Sequence, residues 1–558
     1  MQMLSGTLTY QELNDYLRGT TSSLDLPRLI STLQRYQDRL EALTPIIESL
    51  NYEPPKRALR KPASWAVIPK KKRKTLALDE LRRREGASYA AIAALHTLLS
   101  PIRRLPVELL TEIFLHCLPR EKFILPSDAG SPLRLMQVCT QWWRVCITSP
   151  QLWTSIKIML PETQDTPPQA ELHEPSSIPA KTALLDMWVS RSGDLPFSLS
   201  IQNKLLSTQG IQHVFDICAR RLQHIKVSVL DNERCILADY EYPQLKTLEI
   251  QSPGGLQHAS VDNLSNVLTH TPTLQQFTWN SVISPVFRSP PIMLHWRTIT
   301  HLTLDATITL KHCMHILSMA VNATTIEFRD VFGLPPVPHF PNINLPHLSR
   351  FFLSSRHDIS RIFEVLTLPR LSHLSLVFFT WSHAAITGLL RRSRCPLQSL
   401  DLIYMPLQEG YLTECLEIVQ STLIQLTVQT FEWPAVTDAL IDRLTPTPAG
   451  DVLCPRLREL SLYNCIACSP GRLAHMVRAR LLHGTGRDEV AGGERDAPLL
   501  EGAPIPVDPL QMVELYSCDV ELEPLTPLRS MGLKLVAYSI TDLTVVDVDR
   551  IDVPASTP

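Results

Sequence analysis

Several clusters in the 558-residue sequence hold side chains capable of chemistry, and their spacing decides what that chemistry can be. Cys465-Ile466-Ala467-Cys468 is a C-x-x-C pair of the kind that grips zinc or cycles through a disulfide, but tetrahedral zinc needs four ligands and no second pair accompanies it. A turn role for Cys465 fits better. His312, Cys313 and His315 fall on an expected helix at i, i+1 and i+3, which spreads them around the helix instead of converging them on one ion. Asp547-Val548-Asp549 is an acidic pair of the sort that holds a metal beside a sugar nucleotide, yet it stands alone near a terminus. Asn322-Ala323-Thr324 fits a glycosylation acceptor, which is silent without secretion. Trp142 and Trp143 are adjacent, so one packs inward and the other is at most an interface residue. No catalytic residue, metal ligand or cofactor is assigned, and the chain is not expected to be an enzyme.

A further cluster is purely electrostatic. Pro69 is followed by Lys70, Lys71, Lys72, Arg73 and Lys74, and five like charges in a row are expected to stay extended and solvated. Such a run resembles a monopartite nuclear localisation signal, whose cations lie on an acidic receptor groove. As a plain linker it has only nonspecific affinity for polyanions. The chain as a whole carries a formal net charge of −2, so no global field draws it toward nucleic acid or acidic substrates. Nucleic acid is not an expected partner.

These clusters need a scaffold, and 44% hydrophobic residues argue for a folded one. Twelve cysteines are scattered, several within expected helices (Cys117, Cys139, Cys146, Cys218), as suits reduced thiols used as small apolar residues. The first residues carry Glu12 and Asp15 and lack the apolar core of a signal peptide, and no uncharged apolar run is long enough for a membrane span. The expected location is intracellular, in the nucleus, the cytoplasm or both, with no membrane partner.

From Leu222 onward a repeat sets the fold. Its unit is an apolar residue, two residues, an apolar residue, one residue, an apolar residue. It runs through Leu222/Ile225/Val227, Leu245/Leu248/Ile250, Leu274/Phe277/Trp279, Ile299/Leu302/Leu304 and Ala323/Ile326/Phe328. It continues through Leu348/Phe351/Leu353, Leu371/Leu374/Leu376, Leu397/Leu400/Leu402, Leu423/Leu426/Val428, Leu457/Leu460/Leu462 and Leu510/Val513/Leu515. From Leu222 to Leu423 the first positions lie between 23 and 29 residues apart, which is the period of a leucine-rich repeat. The last two apolar positions share one face of a short strand, and helical stretches such as Ile211 to Arg220, Leu310 to Ala320 and His383 to Arg392 supply the return to a parallel strand. A doubly wound α/β enzyme shares this local pattern, but the Gly-rich phosphate turns it requires are missing. In a solenoid the residues between the apolar positions face the concave surface. Candidate target-binding residues there are Glu249, Asn280, His301, Asp305, Arg329, Arg350, Phe352, His373, Asp401, Glu459 and Tyr463.

Ahead of the repeats the period is helical. Leu26, Leu29, Leu33, Tyr36, Leu40, Leu43, Ile47 and Leu50 alternate spacings of three and four, the seam of a coiled coil, with Pro45 expected to kink or end the helix near Thr44. A weaker run extends from Leu78 to Ile102. Either these two helices fold back on each other, or one docks on the unit that comes next, or the seam joins two copies of the chain in a dimerising coiled coil. That unit reads as three short helices: Pro106 in a first turn with the stripe Leu110, Ile113, Phe114, Cys117, Leu118, then the stripe Leu135, Val138, Cys139, Trp142, Cys146. A third starts at Ser149-Pro150 and buries Leu152, Trp153 and Ile156.

The combination Leu105-Pro106-x-Glu108-Leu109-Leu110-x-x-Ile113-Phe114, Val138-Cys139-x-x-Trp142 and Pro150-x-Leu152-Trp153 resembles the F-box, in the form common in mushroom-forming fungi. The family usually has Arg at the position of Trp143, and the insert from Lys122 to Ser131 is longer than in the tightest examples. The segment from Trp188 to Ile201 also resembles the stretch C-terminal to the F-box in such proteins. The resemblance implies a substrate-recognition subunit of an SCF-type cullin-RING ubiquitin ligase. Its F-box would grip the Skp adaptor, and through it cullin and the RING subunit, while its repeats hold a target protein whose identity stays open. Carried over from the family, the adaptor contacts are Leu105, Pro106, Leu109, Ile113, Val138, Cys139 and Trp153. The alternatives are an F-box scaffold acting outside ubiquitination and a nuclear polyanion-binding protein using Lys70 to Lys74.

The expected fold is therefore α+β in several parts, with N-terminal helices and an all-α F-box followed by an α/β leucine-rich-repeat solenoid. Its expected segments are a heptad helix at 1–50, a basic Pro-rich linker at 51–74, a helix at 75–100, the F-box at 101–157 and a linker at 158–180. The repeat array comes next at 181–545 with a disordered insertion at 483–509, and a tail at 546–558.

Overall fold

Leu29, Leu33 and Tyr36 line one side of helix α1 (Leu26–Asn51) and meet Ala91, Leu95, Leu98 and Leu99 of helix α2 (Lys70–Leu99) in a small apolar core. The start of α1 thus touches the end of α2, and the two run antiparallel as a hairpin. The computed structural model describes residues 26–51, 70–159, 177–202, 209–228, 236–252, 267–281, 295–333, 341–378, 382–430, 434–447, 451–485, 507–516 and 523–538. Of the linker expected at 51–74, Asn51 ends α1, residues 70–74 open α2, and 52–69 lie outside the described residues. Two expectations are corrected here. α1 continues through Pro45, with Ile47 beyond it still buried, and the Thr44 hydroxyl donates to the Leu40 carbonyl at 2.9 Å. The basic run Lys70 to Lys74 is not extended but opens α2, since Lys and Arg are good helix formers and the run is continuous with a packed helix.

The chain forms two compact units: Met1–Ile158 with Ala183–Leu195, and Met159–Thr182 with Pro196–Pro558. In the first unit Pro106 caps α3 (Val107–Cys117) instead of lying inside it, and its carbonyl accepts from the Leu110 N–H at 3.1 Å. α3 buries Leu110 and Phe114. The stripe expected from Leu135 to Cys146 is split into α4 (Pro132–Leu135) and α5 (Thr140–Thr148) by an extended Cys139 at φ −162°, ψ 168°. The break lets Leu135, Val145 and Cys146 all reach the core. The third helix shrinks to one 3₁₀ turn, Pro150–Trp153, followed by strand β1 (Ser155–Ile158), on which Ile156 is buried. Helix α6 (Ser177–Arg191) ends at a left-handed Gly193, φ +56°.

The insert from Lys122 to Ser131 is folded. The Lys157 N–H donates to the Ile124 carbonyl at 2.7 Å and the Ser155 hydroxyl to the Lys122 carbonyl at 2.7 Å, so the insert is tied to β1. Gly130 closes it against the end of α3, where a Cβ would lie 1.9 Å from the Cys117 carbonyl oxygen.

In the second unit the apolar triplets become strands: β2 (Phe197–Gln202), β3 (Leu222–Ser228), β4 (Thr247–Ser252), β5 (Gln276–Ser281), β6 (His301–Thr309) and β7 (Thr325–Phe332). They continue as β8 (Arg350–Ser355), β9 (His373–Phe378), β10 (Ser399–Ile403), β11 (Gln425–Gln429), β12 (Glu459–Tyr463), β13 (Met512–Tyr516) and β14 (Lys534–Tyr538). They belong to a large parallel sheet of fourteen strands whose spatial order follows the chain. The middle apolar positions pair in one row, Ile225, Leu248, Phe277, Leu302, Ile326, Phe351, Leu374, Leu400, Leu426, Leu460 and Val513, and all are buried. Phe197/Leu199/Ile201, whose alternation reads as a strand, stands opposite Leu222/Ile225/Val227 at one end, and Leu535 and Ala537 stand opposite Val513 and Leu515 at the other.

Helices α7 (Gln209–Cys218), α8 (Leu310–Met319), α9 (Ser360–Val365), α10 (His383–Ser393), α11 (Glu409–Val419), α12 (Asp438–Leu444) and α13 (Arg472–Thr485) lie between strands in sequence. Their buried faces, such as Leu310, Cys313 and Leu317 of α8, contribute to the same core. Exposed ion pairs link successive helices, Arg391 with Glu414 and Arg443 with Glu417 at 2.5 Å, and Arg472 with Asp442 at 2.7 Å. Under them Arg480 is fully buried and donates to the carbonyls of Leu444, Leu453 and Cys454 at 2.7, 2.7 and 3.1 Å. α13 runs to Thr485 and Asp508 pairs with Arg458 at 3.0 Å, so the insertion expected at 483–509 holds at neither bound; its middle, 486–506, and the expected tail at 546–558 lie outside the described residues.

Gly130→Ala is expected to lower the unfolding free energy by about 1–3 kcal/mol, the usual cost of forcing a group into packed structure. A chemical denaturation midpoint equal to that of the parent chain would contradict this packing.

Candidate functional site

The first candidate is an apolar surface on the helical unit. Phe114 packs its ring against Trp142 at 4.7 Å, and the hydroxyls of Thr111 and Ser149 lie 3.1 Å apart, so α3, α5 and the Pro150 turn are pinned together. The Gln141 side-chain amide donates to the Arg103 carbonyl at 3.2 Å, which brings the start of α5 beside the segment entering α3. On these elements Leu109 is 52% exposed and Val138 60% exposed, with Ile113 and Pro106 also exposed and Leu105 and Cys139 half-buried. Trp153 is the exception among the expected adaptor contacts. It is fully buried, its indole N–H donates to the Cys146 carbonyl at 2.7 Å, and it packs edge-on to Trp188 at 4.7 Å with the Arg191 guanidinium 4.6 Å from its ring. Its role is core, because every face of the ring is occupied.

Two residues join the surface that the motif does not flag: Val107, exposed beside Pro106, and Trp143, 47% exposed while its neighbour Trp142 packs inward. Large apolar side chains left partly in water on one unit make a candidate docking surface, and covering the exposed part of each is worth on the order of 1 kcal/mol. Lys70, Lys71, Lys72, Arg73 and Lys74 form the opening turns of α2.

The second candidate is the sheet face carrying the alternate strand positions. Register sorts the expected residues into adjoining rows. His301, Arg350, His373 and Glu459 stand in one row, Glu249, Phe352 and Asp401 in the next, and Asn280, Asp305 and Tyr463 in the third. Arg329 follows Phe328 on β7, pairs with Glu327 at 3.3 Å and lies 5.7 Å from the Phe352 ring. Glu249 pairs with Lys226 at 2.5 Å. Burial pushes the Asp401 carboxyl above its ordinary range, opposed by hydrogen bonds from Thr427 and Ser375. Burial and then the charge of Arg350 hold His301 and His373 below the usual histidine value.

At the far end the rings of Tyr463 and Tyr516 stack 4.5 Å apart, and Glu514 accepts from Ser461 at 3.1 Å and from Tyr463 at 3.3 Å. Tyr516 and Glu514 occupy the same alternate positions as their neighbours, so the repeat offset locates them.

The sequence clusters weighed for chemistry are placed apart. Cys465 is buried in the turn after β12 with its thiol toward the Val428 carbonyl at 3.3 Å, and Cys468 is half-buried. Cys313 is buried while His315 is exposed, and the His312 ring meets the Thr309 hydroxyl at 2.9 Å. Asp547 to Asp549 lie outside the described residues. Among the described residues no group of three His, Cys, Asp or Glu converges as a metal site, and no helix is long and apolar enough to cross a membrane. No family model matches the chain, and no curated protein matches it significantly.

Core and surface are separable by substitution. Trp153→Ala is expected to cost about 3–5 kcal/mol in thermal unfolding, whereas Leu109→Ser and Val138→Ser stay within about 0.5 kcal/mol; similar losses from both would mean that the exposed set is core. The Asp401 carboxyl titrates higher folded than unfolded, so stability falls as pH rises from the ordinary carboxylate value through the raised one. Asp401→Asn is accordingly expected to unfold at a higher temperature than the parent at pH 7 and at the same temperature at pH 3. A lower melting temperature at pH 7 would contradict the sign.

Proposed function

We propose that this chain is the substrate-recognition subunit of an SCF-type cullin-RING ubiquitin ligase, with an F-box at 101–157 that binds the Skp adaptor and a leucine-rich-repeat array that binds a target protein. One observation carries the reading. The F-box-like motif divides into residues packed inside, Leu110, Phe114, Leu152 and Trp153, and residues left in water, Leu109, Ile113 and Val138, as a motif that both folds and docks requires. The adaptor contacts are then Leu105, Pro106, Leu109, Ile113, Val138 and Cys139, with Val107 and Trp143 added and Trp153 removed.

The mechanism is positional. Burying the exposed apolar set against the adaptor tethers the chain to cullin and the RING subunit, and the sheet face holds the target nearby. The target lysine then meets a charged ubiquitin carrier at an effective concentration set by the assembly, and no nucleophile is needed from this chain. The parallel sheet suits this role because its open face is long and built from alternating side chains that vary from strand to strand without disturbing the core.

The direct test is capture of purified Skp adaptor by the full chain and by a Leu109→Asp, Val138→Asp variant. The adaptor is expected with the parent and absent with the variant. Equal capture by both, or by neither, would remove the proposal. A target that accumulates when the chain is depleted separates ubiquitin-ligase work from scaffolding, in which target abundance stays level.

A further inference from the structure

We propose that the sheet face takes an acidic segment of its partner protein at the row His301–Arg350–His373, and that binding draws protons onto both histidines. The inference rests on the reading of this face as the target-binding surface and adds the chemistry of what it takes.

The row is set by register. His301 on β6 pairs with Thr325 on β7, Thr325 with Arg350 on β8, and Arg350 with His373 on β9. With strands about 4.8 Å apart the row spans about 14 Å, which suits alternate carboxylates of an extended segment at about 6.8 Å spacing. From Thr247 to Gln425 the row otherwise holds Gln276, Ser399 and Thr325, so the described residues place no carboxylate in it between β4 and β11. The nearby acids have their own partners. Glu327 on β7 pairs with Arg329, Asp330 accepts from the Thr307 hydroxyl, and Asp401 on β10 is held by Thr427 and Ser375. Asp305 stands on β6 in the third row, beside Asn280 on β5.

The hydroxyl before each histidine engages its Nδ1: the Ser372 hydroxyl lies 2.8 Å from His373 Nδ1 and the Thr300 hydroxyl 2.9 Å from His301 Nδ1. With Nδ1 so engaged, Nε2 is the ring nitrogen that meets an incoming carboxylate, and a protonated ring donates its Nε2–H to it. With the face empty, burial and Arg350 disfavour the protonated rings. A carboxylate cancels the charge of Arg350 and reverses the preference, so affinity rises as pH falls through the histidine range.

The test uses the full chain and an extended peptide with glutamate at alternate positions, with the glutamine version as control, titrated calorimetrically in two buffers of different ionisation enthalpy. The expected result is binding of the glutamate peptide alone, proton uptake, and affinity that rises as pH falls from 7.5 to 6.0, by less than the roughly tenfold limit for each pKa unit a histidine gains on binding. A His301→Gln, His373→Gln variant keeps the binding seen at pH 7.5 but loses its pH dependence, and Arg350→Ala binds more weakly at both. Equal binding of the glutamine peptide, or an unchanged pH dependence in the double histidine variant, would overturn the inference. Adaptor capture is scored separately, so loss of peptide binding with adaptor capture intact removes only this inference.

Discussion

The constraint on which the second unit depends is parallel register. Each strand contributes two or three apolar residues and buries them only because the neighbouring strands present theirs at the same height, as Leu374 does between Phe351 and Leu400. A slip of one residue would turn each of these side chains to the other face. Stability is consequently shared along the array, and alternate positions are free to differ from strand to strand. The His301–Arg350–His373 row, the paired acids and the stacked Tyr463 and Tyr516 are products of that freedom.

In the helical unit a different balance operates. Its core is assembled from few large side chains, Phe114, Trp153 and Trp188 chief among them, reinforced by the indole hydrogen bond of Trp153. A core this economical leaves Leu109, Val138 and Trp143 outside it. Anchoring for association and anchoring for folding are thereby divided between adjacent residues of one helix, with Leu109 exposed and Leu110 buried.

Much of the fold is legible in the sequence, because period carries burial. The triplet spacing locates eleven strands and puts His301, Arg350 and His373 in one row, since a strand's alternation leaves no choice of face. The failures have physical causes. Trp153 matches a motif position, but a motif does not say on which side a ring is covered, and only the packing of Trp188 and Arg191 against it decides. At Pro45 local propensity points one way and the burial of Ile47 beyond it points the other, whereas at Lys70 to Lys74 the helix propensity of Lys and Arg prevails over the repulsion of like charges. The break at Cys139 is hidden because a helix-like stripe survives a one-residue interruption. The Thr300 and Ser372 hydroxyls carry no signal of their own, for their meaning lies in bonds to the preceding strand.

The adaptor surface we propose is the exposed apolar set of α3 and the α4–α5 junction. Hydrogen–deuterium exchange of the full chain with and without purified Skp adaptor tests it most directly. Exchange is expected to slow at residues 105–113 and 138–143 and to stay unchanged in strands β8 to β11. Unaltered exchange in those two segments, or protection confined to the sheet, would contradict it.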